Sequence, residues 1–317
     1  MVQASHGRLA GASRAPPHAA EPSLQSAPAF VGRELLSGDS FSLSVRDAVL
    51  YALGVGAGRL PSYAGADELR WVYEGAAGFC PLPSLGTLFP FLGGGDLFSS
   101  LRQAGLDFDP ALLLHAGHEL TLHAPLREAF AAPLVNRTVL ASVADRDAGA
   151  LVTLVTRTTC GGRLLATNAQ TVFIRGLRTG SPAGGGGRAA SSPPPADAAS
   201  WTERVEHSAA LLYRLSGDLN PLHVDAGTAS HAGFPRPILH GLCTLDHAVR
   251  AVLRRLCIPA EAVRRLRVRF VGVVFPGDEL ATLLWRAGPD LIRFEARVGE
   301  ALVLGAGEVG LEAFAKL

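Results

Sequence analysis

The sequence predicts an α+β protein of two related halves, each an antiparallel sheet curved round a helix. Three observations carry this. A Gly/Pro-rich stretch over residues 176–200 divides the chain, and the material on either side shows the same coarse order, helical residues first and strands afterwards. In the second half, one long apolar pattern of helical spacing runs straight into four strand candidates separated by tight turns.

Taken in order, residues 1–29 read as a disordered extension, rich in Ala and Ser with Arg8 and Arg14 and no acidic residue before Glu21. That composition also suits an organellar transit peptide, although Pro16-Pro17 and the lack of an apolar face speak against one. The first body covers 30–175. Residues 45–55 are helix-like, and strands are expected over 119–122, 135–144, 151–159 and 164–174, with turns at Asp145-Arg146-Asp147 and Gly161-Gly162. The linker 176–200 offers little apolar surface and many Gly and Pro. The second body covers 201–314: a short apolar helix over 209–215, then a long one over 241–256. The long helix has apolar residues at 242, 245, 248, 249, 252, 253 and 256, flanked by Arg250, Arg254 and Arg255. Strands are expected over 266–274, 279–286, 291–298 and 301–311, divided by Pro276-Gly277-Asp278 and Gly288-Pro289-Asp290.

The chain has 317 residues, room for about two domains. With 29 basic and 28 acidic side chains the net charge is +1, and there is no basic stripe of the kind nucleic-acid partners require. No apolar run reaches the roughly 20 residues needed to span a bilayer. Cys80, Cys160, Cys243 and Cys257 form no C-x-x-C pair and read as free thiols.

The densest polar cluster is Tyr213-Arg-Leu-Ser-Gly-Asp218-Leu-Asn220-Pro-Leu-His223-Val-Asp225. Gly217 and Pro221 break regular structure, which places Asp218, Asn220 and His223 on a loop, where functional groups concentrate. A carboxylate and an imidazole provide acid and base near neutral pH, and an amide can orient water. Gly241, opening the long helix, offers an unpaired backbone N–H, reinforced by the helix dipole, to an oxygen gaining charge. These parts suit hydration of an activated alkene. Read as structure alone, Asp218 is equally a cap or Asx turn and His223 a hydrogen-bonded loop histidine.

The segment YRLSGDLNPLHVD (213–225), followed by AGFPRPILHGLCT (232–244), resembles the signature of the type 2 enoyl-CoA hydratases. This is the (R)-specific, MaoC-like family that includes the hydratase part of peroxisomal multifunctional enzymes of type 2. RDAVLYALGVGAG (46–58), ELRWVYEG (68–75) and LLLHAGHELTLHAPL (112–126) extend the resemblance into the first body. It implies a double hot-dog fold, with catalysis in the second repeat and an opened first repeat that takes the acyl chain. The implied activity is reversible hydration of trans-2-enoyl-CoA to the (3R)-hydroxyacyl-CoA, and the implied assembly a homodimer. CoA enters as part of the acyl-CoA substrate, and no metal or other cofactor is called for. The resemblance makes Asp218 and His223 the acid–base pair, Asn220 a water-placing residue and the Gly241 N–H an oxyanion donor. It also implies that Glu74 is an essential carboxylate supplied by the first repeat. Ala226 and Leu245-Asp246 depart from the family pattern. The sequence leaves open a dehydratase of fatty-acid synthesis, a hot-dog thioesterase and a silent acyl-CoA-binding protein.

Other signals carry less. His115, His118 and His123 lack the spacing of a helical metal motif, and as a strand they place His118 opposite the other two, as polar surface with an occasional core contact. Cys243 reads as a buried structural thiol, and Gly54-Val-Gly56-Ala-Gly58 as a turn. The chain ends Ala315-Lys316-Leu317, containing its only lysine. This resembles a peroxisomal targeting tripeptide read by an import receptor, and points to a peroxisome, with the mitochondrion as the alternative.

Overall fold

The computed structural model describes residues 31–38, 40–59, 68–94, 97–182 and 193–312. The expected extension 1–29 and the tripeptide 315–317 lie outside them. In chain order the first half contains β1 (Glu34–Ser37), α1 (Val45–Gly54), α2 (Leu69–Val72), a 3-10 stretch (Pro83–Phe91), α3 (Leu97–Gln103) and strands β2 (Leu113–Leu122), β3 (Leu134–Arg146), β4 (Gly149–Cys160) and β5 (Arg163–Arg175). The second half contains β6 (Ala199–Arg204), α4 (Ala209–Tyr213), α5 (Ala226–His231), α6 (Gly241–Arg255), β7 (Val263–Phe270), β8 (Glu279–Gly288), β9 (Leu291–Val298) and β10 (Ala301–Leu311).

The strands form one antiparallel sheet in the order β1-β3-β4-β5-β2-β7-β10-β9-β8-β6. Each half therefore repeats one arrangement, first-third-fourth-fifth-second strand, and the halves meet where β2 pairs with β7, Gly117 opposite Arg269 and Leu120 opposite Leu266. The internal repeat expected from the order of elements is present. Its strands bury alternate residues, as β4 does with Val152, Leu154, Thr156 and Thr158, because successive side chains point to opposite faces.

Helix α6 is the centre of the second half. Every residue from Leu242 to Leu253 is buried. Each of the Leu and Val side chains among them contributes on the order of 2 kcal/mol by leaving water. The sequence places Arg250 on a polar flank, but it is buried, because the first half covers that flank. In the first half the position inside the sheet is taken by the 3-10 stretch Pro83–Phe91, which packs against β2, β3, β4, β5 and α6. Pro83 opens the stretch, where its missing N–H costs nothing, whereas Pro90 lies inside it and lacks the N–H donor that a regular helix would need there.

Two boundaries differ from expectation. Strand β6 starts at Ala199, inside the expected linker, and pairs with β8 along Trp201 to Arg204. The linker's first residues are also fixed: Asp145 accepts hydrogen bonds from the backbone N–H groups of Thr179 (3.1 Å) and Gly180 (3.0 Å), and Thr179 and Ser181 are buried. A carboxylate satisfying backbone donors holds a segment whose composition alone says loose. Among the described residues all four cysteines are free, and no helix is long and apolar enough to cross a membrane.

Candidate active site

A cavity of about 930 Å³ opens beside the start of α6 and extends under the first-half sheet. Asp218, Asn220, His223 and Gly241 all line it. The structure thus brings together four of the five residues singled out in the sequence.

The loop that carries them is pinned at each end. Gly217 turns the chain out of α4 at φ 133°, and a Cβ there would lie 2.9 Å from Leu92, so both the conformation and the space favour glycine. Asn220 caps the 3-10 turn Pro221–His223, its side-chain oxygen accepting from the Leu222 N–H at 3.0 Å. This leaves the amide nitrogen as a donor. Two residues beyond His223, Asp225 caps α5 through the N–H and hydroxyl of Thr228, both at 2.7 Å. On the other side, the Leu239 N–H donates to the Val274 carbonyl at 2.7 Å and fixes the approach to α6.

His223 donates from Nδ1 to the Ile238 carbonyl at 3.0 Å, so Nε2 carries the lone pair. His240 donates from Nε2 to the Asp218 backbone carbonyl at 3.1 Å, and its ring stacks on His223 at 3.7 Å. Burial lowers the pKa of both histidines, which keeps them neutral. Burial raises that of Asp218, opposed by the adjacent His223 and by the Asn220 N–H. A lone-pair imidazole thus stands beside a carboxyl whose hold on a proton burial strengthens, a pair between which one proton can pass. Ligand-type atoms of Asp218, His223 and His240 lie within 4.8 Å of one another, a donor set that also suits a cation. At Gly241 no side chain caps the helix, and a Cβ would meet the Phe270 ring at 3.2–3.5 Å. The bare N–H at the positive end of a 15-residue helix is thereby left to a ligand.

Glu74 is not part of this assembly. It sits in the turn after α2, between exposed Tyr73 and exposed Gly75, is itself exposed, and does not line the cavity. The first-half carboxylate that does reach α6 is Glu68, six residues earlier. Buried Glu68 accepts from Arg250 at 2.8 Å and from the Gly58 N–H at 2.8 Å, with Arg254 at 3.4 Å. Arg250 also pairs with Glu203 of β6, which bonds His247 at 3.1 Å. The sequence offered no signal for this network, because Arg250 falls on the polar flank of the helical pattern and reads as solvent-facing.

Two further clusters went unread. Buried Asp246 accepts from the Tyr213 hydroxyl at 2.6 Å, and the Tyr213 ring lies 5.0 Å from His240. His118 is buried rather than surface, donating to Asn168 at 2.8 Å. A register shift between His115 and Gly117 turns His115 to the same side, 3.4 Å from His118, where it lines the cavity beside Phe270. The strict alternation assumed for this strand fails at that bulge. Cys243 is fully buried, and burial pushes its thiol well up, in keeping with a structural role.

A continuous sheet of two like halves, with an acid–base loop at the mouth of the enclosed helix, defines a double hot-dog protein of the MaoC-like class. Residues 194–306 match the family described as MaoC like domain, and residues 41–176 the MFE-2 hydratase 2 N-terminal domain. The chain is 38% identical over 275 residues to a protein of Arabidopsis thaliana named enoyl-CoA hydratase 2, peroxisomal, covering 82% of this chain and 87% of that one. The structure of full-length peroxisomal multifunctional enzyme type 2 from Drosophila melanogaster superposes with a TM-score of 0.71 at 31% identity, over 87% of this chain and 48% of that one. A Mycobacterium tuberculosis protein described as a double hotdog fold shares the architecture at a TM-score of 0.54 and 17% identity, over 87% of this chain and 96% of that one. The chain belongs to the MaoC-like family, in the group whose first half is the hydratase 2 N-terminal domain.

Proposed function

We propose that the protein is an (R)-specific enoyl-CoA hydratase, a hydro-lyase of fatty-acid β-oxidation that interconverts trans-2-enoyl-CoA and (3R)-3-hydroxyacyl-CoA. The carrying observation is His223, whose Nδ1 is committed to the Ile238 carbonyl and whose Nε2 lone pair stands beside Asp218 at the N-terminus of α6. The relatives' names and their coverage of nearly the whole chain support the same reading.

In this scheme a water held by Asp218, His223 and the Asn220 amide loses a proton to His223 Nε2, and its oxygen bonds to the β-carbon. The double-bond electrons move toward the thioester, whose oxygen is held by the Gly241 N–H. Asp218 then delivers its proton to the α-carbon on the same face, and the proton on His223 returns to Asp218 to reset the pair. Because the pair is coupled, the two groups titrate together. The thioester is the electron sink, so the scheme routes no step through a metal or redox cofactor. Chelator treatment should leave turnover intact; loss restored by a divalent cation would instead assign Asp218, His223 and His240 to a metal.

With 2-decenoyl-CoA the enone absorbance should fall and the (3R) product accumulate. Asp218→Asn and His223→Gln should each lower kcat by about a thousandfold without unfolding the protein. A (3S) product, or free CoA in place of hydroxyacyl-CoA, would overturn the assignment. A peroxisomal location, import through Ala315-Lys316-Leu317 and a homodimer of the whole chain belong to the same proposal. A fluorescent fusion with and without Lys316-Leu317 tests the first two, and light scattering the third.

A further inference from the structure

The part of the cavity under the first-half sheet is not uniformly apolar. Gln170 of β5 faces it, is 4% exposed, and its amide is hydrogen-bonded to no described residue. The other two buried amides on that inner face are engaged. Asn136 donates to the carbonyl of Leu92 at 3.0 Å and accepts from Thr158 at 2.7 Å; Asn168 donates to the Gly86 carbonyl at 3.0 Å and accepts from His118 at 2.8 Å. Gln170 is the exception. The Gln170 amide is therefore open to the cavity, and it offers both a donor and an acceptor to whatever enters.

Thr138 of β3 and Thr156 of β4 supply a second polar group. Their hydroxyls bond each other at 2.8 Å, and both residues line the cavity. Two hydroxyls sharing one bond retain a free donor and free acceptors. Leu154 stands opposite Gln170 and Thr156 opposite Asn168, so Gln170 and Thr156 are diagonal neighbours on one face, about 7 Å apart. Thr156 is itself fully enclosed, so it acts by orienting the Thr138 hydroxyl, and Gln170 is the group that a ligand oxygen meets directly.

We propose that Gln170, with Thr138 and Thr156, forms a subsite for an acyl chain bearing a neutral oxygen function, a hydroxyl or keto group, in its middle or distal part. The inference rests on the acyl-CoA hydratase reading and names the substrate class that reading leaves open. Position follows from the strand order. Phe270 of β7 packs on Gly241, and Gln170 lies two strands further on and Thr156 three, so the oxygen sits roughly 10–14 Å from the reacting carbons. The group is neutral because no cation is near. Among the described residues lining the cavity the only Arg is Arg175, exposed at the end of β5 and about 17 Å along the strand from Gln170. His115 lies between, held neutral by burial, its pKa lowered to about 3.

The test compares a C12 trans-2-enoyl-CoA with its ω-hydroxy and ω-carboxy counterparts on the full-length protein and on Gln170→Leu and Thr156→Val. The wild type should hydrate the hydroxy chain with a kcat/KM at least equal to that of the plain chain. Gln170→Leu should lower the hydroxy-to-plain ratio about tenfold, mostly through KM, while turnover of the plain chain holds or rises. Thr156→Val should move the ratio the same way by less. A ratio unmoved by Gln170→Leu, a wild type that disfavours the hydroxy chain tenfold, or a Gln170-dependent preference for the carboxylate would each overturn the subsite. If no enoyl-CoA is hydrated the hydratase reading fails by itself. The subsite is then decided by calorimetric binding of dodecanoyl-CoA and its ω-hydroxy counterpart, where the same tenfold change in ratio supports it and an equal response overturns it.

Discussion

Asp246 should make this protein less stable as the pH rises, and Asp246→Asn should remove that dependence. Its side chain is wholly enclosed, Oδ2 accepts from Tyr213, and Oδ1 has no partner among the described residues. Burial pushes the carboxyl up to about 8, against the lowering effect of the Tyr213, Tyr51 and Ser84 hydroxyls. In an unfolded chain the same group titrates near 3.9. The folded state therefore binds the proton more tightly, and that contribution is fully present below about pH 4, falls between about 4 and 8, and is gone above 8. Roughly four units at about 1.36 kcal/mol each amount to on the order of 5 kcal/mol across that window, with about 4 kcal/mol already lost at pH 7. This is a large part of the 5–15 kcal/mol typical of a folded domain. Asparagine keeps the shape and carries no charge. Urea unfolding of both proteins at pH 5, 6, 7, 8 and 9 should show the variant gaining steadily on the wild type, by a few kcal/mol between pH 5 and pH 9. Parallel curves would show that the carboxyl ionises in the fold as it does in the open chain, and the argument would fail.

Gly241→Ala should fold, since the added methyl meets only the Phe270 ring at 3.2–3.5 Å, yet lower kcat by about tenfold to a hundredfold by crowding the N–H; an unchanged kcat removes Gly241 from the mechanism. Arg250→Met should cost about 2–4 kcal/mol in urea unfolding, because it leaves enclosed Glu68 with only the Gly58 N–H and Arg254, and Glu203 with only His247. Glu74→Gln should leave kcat/KM within about twofold of wild type, as expected of an exposed turn residue; a loss of several orders would restore the role the family resemblance implied.

What the sequence disclosed followed the periodic signals. Strands β9 and β10 and the start of α6 fall where alternation and helical spacing place them, and the acid–base loop stands out because Gly217 and Pro221 leave no other structure available. Strand β6 was hidden for a physical reason: its inward residues are Ala199, Trp201 and Glu203, and a carboxylate facing Arg250 and His247 breaks the apolar alternation by which a strand is read. The 3-10 stretch Pro83–Phe91 was hidden by its prolines, which suppress the helical reading although most of the segment is buried. Glu74 and Glu68 lie in one matched segment, and resemblance alone does not say which of two nearby carboxylates turns inward.

Divergence of the two halves gives the site its form. The space that a curved sheet encloses is shared between helix and void, so the less helix it holds the more void is left. In the second half the 15-residue α6 fills the curve and presents its N-terminus to the loop that bears Asp218 and His223. In the first half a 9-residue stretch with two prolines fills only part of the same space, and the cavity starts at its last residues, Pro90 and Phe91. The β2–β7 pairing joins the two halves rigidly, so chemistry and chain-holding volume are set at a fixed distance, with Phe270 and His115 at the junction. Length selectivity should then respond to residues of the 3-10 stretch and rate to residues of the loop. Phe91→Ala, which enlarges the void, should shift kcat/KM toward longer or bulkier enoyl-CoAs while leaving kcat on a short chain near that of wild type. An equal loss across all chain lengths would show that the two functions are not divided between the halves in this way.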